Sequence, residues 1–262
     1  MTAGRLRLER ATVISQEEVC QDTFLMWLSC PALARGAAPG RFLMLRCGDG
    51  LDPLLPRPMS YHRFRQRGEE RQFAVLYDVR GRGTLWLSQR RPGDWIVAFG
   101  PLGRGLQVRP DARNLLLVAG GLGIAGLVAL AEEAVAQGRA VTLLAGARTA
   151  ARLLPPSLLP PEVEVVYATD DGSRGHRGPV TDLVPEYLDW ADQVFACGPA
   201  AMFAALAEAV RGRASRRPVQ VLMEERMGCG TGICYGCAVF PRRGGVRLVC
   251  KDGPRFDLRE LF

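Results

Sequence analysis

Four cysteines in the last part of the chain have the spacing of a metal-cluster site. Cys229, Cys234, Cys237 and Cys250 form a Cys-x4-Cys-x2-Cys-x12-Cys pattern within and after the glycine-rich stretch MGCGTGICYGC. This is the plant-type spacing with which four thiolates hold a 2Fe-2S cluster. One tight loop must present three sulfurs to a small inorganic core, and the interspersed glycines let backbone amides approach it. The pattern therefore predicts a 2Fe-2S site and a role in electron transfer.

Two other uses of these cysteines compete with the cluster, a structural zinc site and a disulfide framework. Zinc sites usually combine two separated Cys-x2-Cys or Cys/His pairs, whereas here three cysteines crowd into one loop. Disulfides need an oxidising compartment, and the opening stretch MTAGRLRLERATV lacks the apolar core of a signal peptide. We therefore expect an iron-sulfur cluster in a cytoplasmic protein.

Two short motifs in the first part of the chain have the composition of a flavin site. Arg-Pro-Met-Ser at 57–60 follows a proline-punctuated turn, and Gly-Arg-Gly-Thr at 81–84 opens a helix-like run. An arginine fork can bind a pyrophosphate, a serine hydroxyl can reach a flavin ring nitrogen, and Gly-Thr at a helix start offers free amides to phosphate. Alone, each motif also fits a surface turn or a helix cap. Their combination favours a flavin nucleotide.

A second pair of motifs is typical of a nucleotide-binding α/β domain. AGGLGIA at 119–125 joins a strand-like run to a helix-like one, and Cys-Gly-Pro at 197–199 ends a later strand-like run. Glycine lets the backbone approach a phosphate at the positive end of a helix, although the first motif alone fits helix-strand packing equally well. Open α/β sheets bind ligands at the carboxyl ends of their strands. Two such loops therefore predict a nucleotide cleft.

The rest of the sequence predicts three segments that would position these motifs. Residues 1–108 contain short runs broken by glycine and proline, which favour an antiparallel barrel or sandwich; with the flavin motifs that lie in it, we predict a flavin-binding β-barrel. In 109–217, strand-like and helix-like runs alternate, which indicates a nucleotide-binding domain with a parallel sheet. Residues 218–262 are predicted to be a small C-terminal 2Fe-2S module, too small to bury much core alone, so we expect the cluster to supply part of its folding free energy. The predicted fold class is β plus α/β.

The composition argues against a nucleic-acid-binding protein and against a membrane-spanning one. The chain has 262 residues and a formal net charge of +7, but its arginines are scattered and form no single stripe. We therefore expect no nucleic-acid partner. The longest uncharged apolar run, 115–131, has 17 residues, four of them glycine, and a strand, a glycine turn and a helix explain it better than a membrane span.

Other chemically capable side chains are predicted to have no role in the reaction. His62 and His176, the two histidines, lie beside arginines in loop-like sequence and are expected to be solvated. Cys20, Cys30 and Cys47 lie in apolar, strand-like sequence and are expected to be buried core thiols.

In combination, the motifs resemble those of one known family. RPMS, GRGTLWLS, FGPLGRG, AGGLGIA, TDDGSRGHRG, ACGPAAM, MGCGTGICYGCAV and VCKDGP occur in the order found in the electron-transfer subunits of NAD-dependent (class 1B) dihydroorotate dehydrogenases. That family belongs to the ferredoxin-NADP reductase superfamily, and the resemblance covers nearly the whole chain. The chain departs from the superfamily at Gly126, where proline is common, and at Leu106, where an aromatic residue is common.

The resemblance assigns roles to individual residues. Those that would contact FAD are Arg57, Pro58, Met59, Ser60, Leu76, Tyr77, Asp78, Gly83 and Thr84. Those that would border the NAD site are Gly120, Gly121, Gly123, Cys197, Gly198 and Pro199. The cluster ligands would be Cys229, Cys234, Cys237 and Cys250. No residue of this chain is expected to act as a catalytic acid or base.

The resemblance also implies a function and a partner. In the family, a catalytic subunit oxidises dihydroorotate on its own FMN in pyrimidine biosynthesis, and electrons then pass through the 2Fe-2S cluster and FAD to NAD. We therefore expect an oxidoreductase subunit that binds this FMN subunit, in a heterotetramer of two of each chain.

Two alternatives to this function stay open at this point. The same module would also fit a hydrogenase, a sulfide dehydrogenase or a complex of the ferredoxin-NADP reductase type. Outside the enzymes, it would fit a redox sensor or a zinc-stabilised binding module. Arg148, after the second strand-like run of 109–217, leaves the choice between NAD and NADP open.

Overall fold

The computed structural model describes residues 8–211 and 218–262. Residues 1–7 and 212–217, which include the predicted end of the second segment, lie outside the described residues. The strands are β1 (Glu9–Cys20), β2 (Thr23–Ser29), β3 (Phe42–Leu45), β4 (Arg57–Ser60), β5 (Arg63–Arg67), β6 (Glu70–Asp78), β7 (Trp95–Leu102), β8 (Asn114–Gly120), β9 (Ala140–Ala147), β10 (Glu164–Thr169), β11 (His176–Arg177), β12 (Gln193–Cys197), β13 (Val219–Leu222), β14 (Ala238–Val239), β15 (Arg247–Leu248) and β16 (Arg255–Asp257).

Helices are short in the first part of the chain and longer in the second. The α-helices are α1 (Pro31–Ala34), α2 (Arg82–Ser88), α3 (Val128–Ala136), α4 (Val184–Tyr187), α5 (Ala200–Val210), α6 (Val249–Asp252) and α7 (Leu258–Leu261). Short 3-10 helices span Gly121–Gly126, Ala150–Arg152, Pro156–Leu158 and Val180–Leu183.

The first sheet is antiparallel and has the strand order β4-β3-β7-β1-β2-β6-β5. Its inward-facing residues pack around large aromatic side chains, of which Tyr61, Phe73 and Tyr77 are fully buried. Because side chains alternate between the two faces of a strand, Tyr77 points into this core and its neighbours point outward. We call this part of the molecule the first-sheet domain, and it matches the predicted antiparallel domain.

The second sheet has the order β11-β10-β9-β8-β12-β13-β16, with neighbouring strands parallel except at β16. Helices cover both faces: alternate residues of β8 pack towards α3 on one face and towards α4 and α5 on the other. We call this part the second-sheet domain. The apolar run 115–131 consists of β8, the glycine turn and the start of α3, as the sequence predicts.

The segment after residue 218 does not fold apart from the second sheet. β13 lies beside β12, the glycine-rich loop 227–237 that we call the cluster loop follows, and β16 then returns to pair antiparallel with β13. The predicted domain boundaries remain a prediction, since these strands of the third segment complete the sheet of the second. No helix within the described ranges is long and apolar enough to cross a membrane.

Candidate functional site

A cleft of about 990 Å³ lies between the two domains. On one side it is bordered by the carboxyl ends of parallel strands, and on the other by the ends of β1 and β6. Five of the six residues predicted for the NAD site line it, namely Gly120, Gly121, Gly123, Gly198 and Pro199. The sixth, Cys197, is buried directly behind them.

Two glycines of the motif AGGLGIA at 119–125 serve different purposes. A Cβ atom on Gly123 would lie 2.0 Å from the carbonyl oxygen of Cys197, so this glycine lets the turn after β8 touch the end of β12. Gly121 has φ +55° and no atom within 4 Å of its Cβ position. Gly121 therefore faces open space in the cleft, where a phosphate would approach, while Gly123 serves packing.

The opposite wall contains part of the predicted FAD strand. Leu76 and Asp78 line the cleft, whereas the Tyr77 side chain points away from it. Tyr77 is buried, and its hydroxyl donates a hydrogen bond of 2.6 Å to Gln16 Oε1. Only the backbone of Tyr77 is therefore available on the cleft side.

The structure brings the two predicted flavin motifs together outside this cleft. A Cβ atom on Gly83 would lie 3.2 Å from Arg57 Nε. Arg57 Nη1 donates to the Leu55 carbonyl at 2.6 Å, the one hydrogen bond of this guanidinium among the described residues. Thr84 Oγ1 accepts from the backbone amide of Gly81, the N-cap residue, at 3.3 Å and so caps α2. A guanidinium beside a helix start is a donor set that fits a phosphate group.

The remaining residues of 57–60 follow the alternation of a strand. Met59 is buried in the core of the first-sheet domain, while Pro58 and Ser60 are half-buried. A Cβ atom on Gly126 would lie 3.7 Å from Ser60 Oγ, 3.5 Å from Cys197 Sγ and 2.8 Å from Leu222 Cδ1. Glycine at 126 thus permits close contact between the domains at the end of β4.

Backbone amides surround the sulfurs of the cluster loop. Cys229 Sγ accepts hydrogen bonds from the amides of Thr231, Ile233 and Cys234 at 3.3–3.4 Å. Burial raises the pKa of Cys229, but hydrogen bonds from the Thr231 side chain and from these backbone amides outweigh it and lower the pKa to about 5. Cys229 is therefore a thiolate at neutral pH, the form that ligates iron.

The other three cysteines differ in exposure. Cys234 is exposed, whereas Cys237 and Cys250 are buried, with the Cys250 amide donating to Cys237 Sγ at 3.4 Å. Burial, together with neighbouring Cys237, raises the pKa of Cys250 to about 12. Within residues 8–211 and 218–262, no three or more His, Cys, Asp or Glu side chains are gathered as a set that could hold a metal ion. The predicted ligand assignment remains a prediction, supported by the four thiols and the amides directed at them.

One carboxylate on the cleft was not predicted from the sequence. Glu224 lines the cleft directly after β13, and Cys197 Sγ donates to its Oε1 at 3.8 Å. Desolvation by the surrounding protein raises the pKa of Glu224, although its side chain is exposed to the cleft. Burial likewise raises the pKa of the Cys197 thiol. The signal that would have found Glu224 is its place at the carboxyl end of a parallel strand.

The expectation that His62 is solvated is wrong. Only 1% of His62 is exposed, and its Nδ1 lies 3.2 Å from the carbonyl oxygen of Ala125. Burial lowers the pKa of His62 to about 3, so the neutral ring donates from Nδ1 to the nucleotide loop. His176 is exposed as predicted.

The thiol predictions for the first-sheet domain are confirmed for Cys30 and Cys47, which are buried. The prediction is wrong for Cys20, which is half-buried because it lines the cleft at the end of β1. Arg148 also lines the cleft, as does Asp170 of the TDDGS turn.

Comparison with known proteins agrees with this geometry. Residues 224–262 match the iron-sulfur cluster binding domain of dihydroorotate dehydrogenase B. The chain is 37% identical over 257 residues to the dihydroorotate dehydrogenase B (NAD(+)) electron transfer subunit of Geobacillus thermodenitrificans, covering 97% of this chain and 98% of that one. It is 38% identical over 253 residues to the corresponding subunit of Desulforamulus reducens, covering 94% and 95%.

A solved structure of the NADH-dependent reduced ferredoxin-NADP oxidoreductase is 28% identical, with a TM-score of 0.83, and covers 100% of this chain and 91% of that one. The predicted fold class and oxidoreductase class are confirmed, and the predicted cofactors FAD, 2Fe-2S and NAD are supported. The chain belongs to the family of electron transfer subunits of dihydroorotate dehydrogenase B (NAD(+)).

Proposed function

We propose that this chain carries electrons from an FMN-containing catalytic subunit that oxidises dihydroorotate, through a 2Fe-2S cluster and FAD, to NAD. The names of the relatives support the partner and the nucleotide, and the matched domain supports the cluster. When bound, the flavin would exchange single electrons with the cluster and a hydride with the nicotinamide. The residues of this chain bind these groups and set their positions.

The observation that carries this proposal is the contact between the cluster loop and the first-sheet domain. A Cβ atom on Gly230, between the first two cysteines, would lie 2.8 Å from Met44 Cγ. Met44 of β3 stands opposite Pro58 of β4 in the antiparallel register. Met44 also shares one buried cluster of side chains with Cys237 and Cys250. One strand therefore separates the cluster loop from the strand predicted to hold the flavin, a short path for an electron.

Strand geometry indicates how the flavin would lie. Arg57 begins β4 beside the start of α2, so these elements would hold the phosphates. Three residues on, roughly 10 Å along an extended strand, Ser60 ends β4 beside Gly126 and Cys197. The ring end of the flavin would then lie where the two domains meet, within reach of a nicotinamide in the cleft.

The cleft suits a dinucleotide in size and in its donors. Its volume of about 990 Å³ lies at the upper end of the range of ligand pockets. Gly121 offers open backbone, and α5 begins directly after Pro199 with no side chain capping its first amides. Free amides at a helix start favour an anion such as the pyrophosphate of NAD.

Exposed apolar side chains surround the cluster loop and support a protein partner there. Ile233 is 80% exposed, Tyr235 63% and, on the neighbouring hairpin, Phe240 73%. Tyr235 has φ +59°, a strained conformation for an aromatic residue, and strain of this kind is common at functional sites. The catalytic subunit would cover this surface, which brings its FMN near exposed Cys234. We propose the complex as a cytoplasmic heterotetramer of two of each chain.

A second candidate partner has one specific observation in its favour. The chain resembles the NADH-dependent reduced ferredoxin-NADP oxidoreductase along its whole length. In that case the cluster would exchange electrons with a ferredoxin-linked enzyme instead of a dihydroorotate dehydrogenase.

Cofactor content and activity of the isolated chain test the proposal. Anaerobically purified protein should contain FAD and about two irons and two sulfides per chain. It should reduce artificial acceptors with NADH but leave dihydroorotate unoxidised, because the FMN site belongs to the partner. Stoichiometric zinc without iron, or extracted flavin that proves to be FMN, would refute the proposal.

A further inference from the structure

Arg152 belongs to the second-sheet domain, but its guanidinium binds the first-sheet domain at the edge of the cleft. Its Nη1 donates to the Gln21 carbonyl at 2.9 Å and lies 3.3 Å from Asp22 Oδ2. Its Nη2 lies 3.0 Å from Asp78 Oδ2. One planar fork therefore joins the β1–β2 turn and the end of β6 to the opposite domain, a geometry that suits arginine and not lysine.

Asp78 ends the strand that is predicted to border FAD, and it is only 5% exposed. It also accepts a hydrogen bond of 2.8 Å from Thr23 Oγ1 and pairs with Arg80 at 3.0 Å. These two partners belong to its own domain and satisfy the carboxylate without Arg152. The contact with Arg152 is therefore an additional link across the cleft, and its loss would leave no unpaired buried charge.

Arg152 is the last residue of the short 3-10 helix Ala150–Arg152, and the first residue of that helix contacts the second-sheet side of the cleft. The amide of Ala150 donates to Ser173 Oγ at 2.8 Å. Ser173 Oγ in turn donates to Asp171 Oδ1 at 2.6 Å, in the turn that follows β10. The short helix Ala150–Arg152 thus contacts the end of the predicted flavin strand through Arg152 and a turn that borders the cleft through Ala150.

We infer that Arg152 is a positioning residue for the reaction between nicotinamide and flavin. It holds the two domains at a fixed separation across the cleft, so that a nicotinamide in the cleft meets a flavin ring at the end of β4. Reacting atoms must approach to about 3–3.5 Å, and a displacement of about 1 Å can cost up to a hundredfold in rate. This inference rests on the proposed function, since it presumes a nucleotide in the cleft and a flavin on β4.

The molecule contains a matched control for this link. Arg63 of β5 also crosses between the domains, with its Nε 2.7 Å from Glu132 Oε1 on α3. Neither Arg63 nor Glu132 lines the cleft. Removing either arginine deletes an ionic link between the domains, but of the two only Arg152 lines the cleft.

The test compares Arg152→Met with Arg63→Met in the full chain loaded with its flavin and cluster. We expect Arg152→Met to slow flavin reduction at saturating NADH roughly tenfold or more, with flavin content and visible spectrum unchanged. Affinity for ADP, which does not reach the flavin, should stay within about twofold, and Arg63→Met should reduce its flavin at the parent rate. Arg152→Lys, which keeps the charge but not the fork, should lie between Arg152→Met and the parent.

The outcomes separate this inference from the function on which it rests. Equal flavin-reduction rates in Arg152→Met and the parent, or equal slowing in both arginine variants, would overturn the positioning role. Loss of ADP binding with an unchanged rate at saturation would show instead that Arg152 is a direct nucleotide ligand. A parent protein whose flavin NADH does not reduce would overturn the proposed function, and this inference with it.

Discussion

At the scale of the residue, side-chain type is more predictable than side-chain direction. The motif at 57–60 marks the correct strand, yet Met59 points into the core and Ser60 towards the other domain. Tyr77 likewise faces inward between two residues that line the cleft. His62 reads as a loop histidine because its partner, the Ala125 carbonyl, lies 63 positions away in the chain. A local pattern carries no information about such a distant contact.

Arg57 should control flavin affinity. Charge-assisted hydrogen bonds are worth about 1.5–3 kcal/mol, so Arg57→Ala should weaken FAD binding roughly ten- to hundredfold, measured by titrating the apoprotein. The control is Arg46→Ala, which removes a nearby arginine whose guanidinium donates only to the Gly50 carbonyl among the described residues. Full retention of FAD by Arg57→Ala would contradict the assignment.

A side chain at position 121 should impair nucleotide binding by more than the backbone strain that any side chain causes at this positive φ. Gly121→Val places a branched side chain in the open part of the cleft and should slow reduction of the bound flavin by NADH, with a normal flavin spectrum. Gly138→Val is the matched control, because Gly138 also has positive φ and open space around it but lies at the end of α3. Both variants should lose similar stability. Equal NADH kinetics in the two would move the nucleotide site elsewhere.

Buried His62 should make stability depend on pH. Its pKa is about 3 in the folded protein, below the usual 6.5, so the unfolded chain binds a proton that the folded chain does not. This contribution is complete above pH 6.5 and is lost as pH falls towards 3, by up to about 1.4 kcal/mol per pH unit. Urea unfolding across this range should show a shallower slope in His62→Gln than in the parent. The comparison variant is His176→Gln, and a parent-like slope in His62→Gln would refute the argument.

At the scale of the element, local periodicity predicts the strands and helices, but long-range pairing decides where they join. The change from short broken runs to alternating strands and helices marks the two sheets correctly. The sequence gives no sign that β16 pairs with β13, because the cluster loop separates them and β16 has only three residues. Register between such distant strands follows from tertiary packing and not from the residues of either strand.

The contact between the cluster loop and β3 yields a prediction at this scale. Gly230 has φ +68°, and its Cβ position lies 2.8 Å from Met44 Cγ, so Gly230→Ala should push the loop away from the first-sheet domain. Reduction of the cluster by NADH should then slow, while reduction of the flavin stays at the parent rate. Gly244→Ala, with φ +83° and open surroundings in the β14–β15 hairpin, is the control. An unchanged rate of cluster reduction in Gly230→Ala would show that electrons do not cross this contact.

At the scale of the whole molecule, the three candidate sites lie in order. The cluster loop lies at an exposed apolar surface and contacts Met44 of β3, which pairs with β4, the strand predicted to hold the flavin. Ser60 at the end of β4 lies against Gly126, in the turn whose first glycines line the cleft predicted to bind the nucleotide. Such an order fits a chain that accepts electrons from a partner and delivers them to a dissociable nucleotide. It leaves the oxidation of the organic substrate to the partner.

NADH formation from dihydroorotate, followed by absorbance under anaerobic conditions, tests this account most directly. The account predicts no NADH from either subunit alone and steady NADH formation when this chain is mixed with its cognate FMN subunit. Tyr235→Glu in this chain should weaken that coupled activity while NADH-dependent reduction of artificial acceptors continues. NADH formation from dihydroorotate by this chain alone, or none from the mixture when both subunits hold their flavins, would contradict the account.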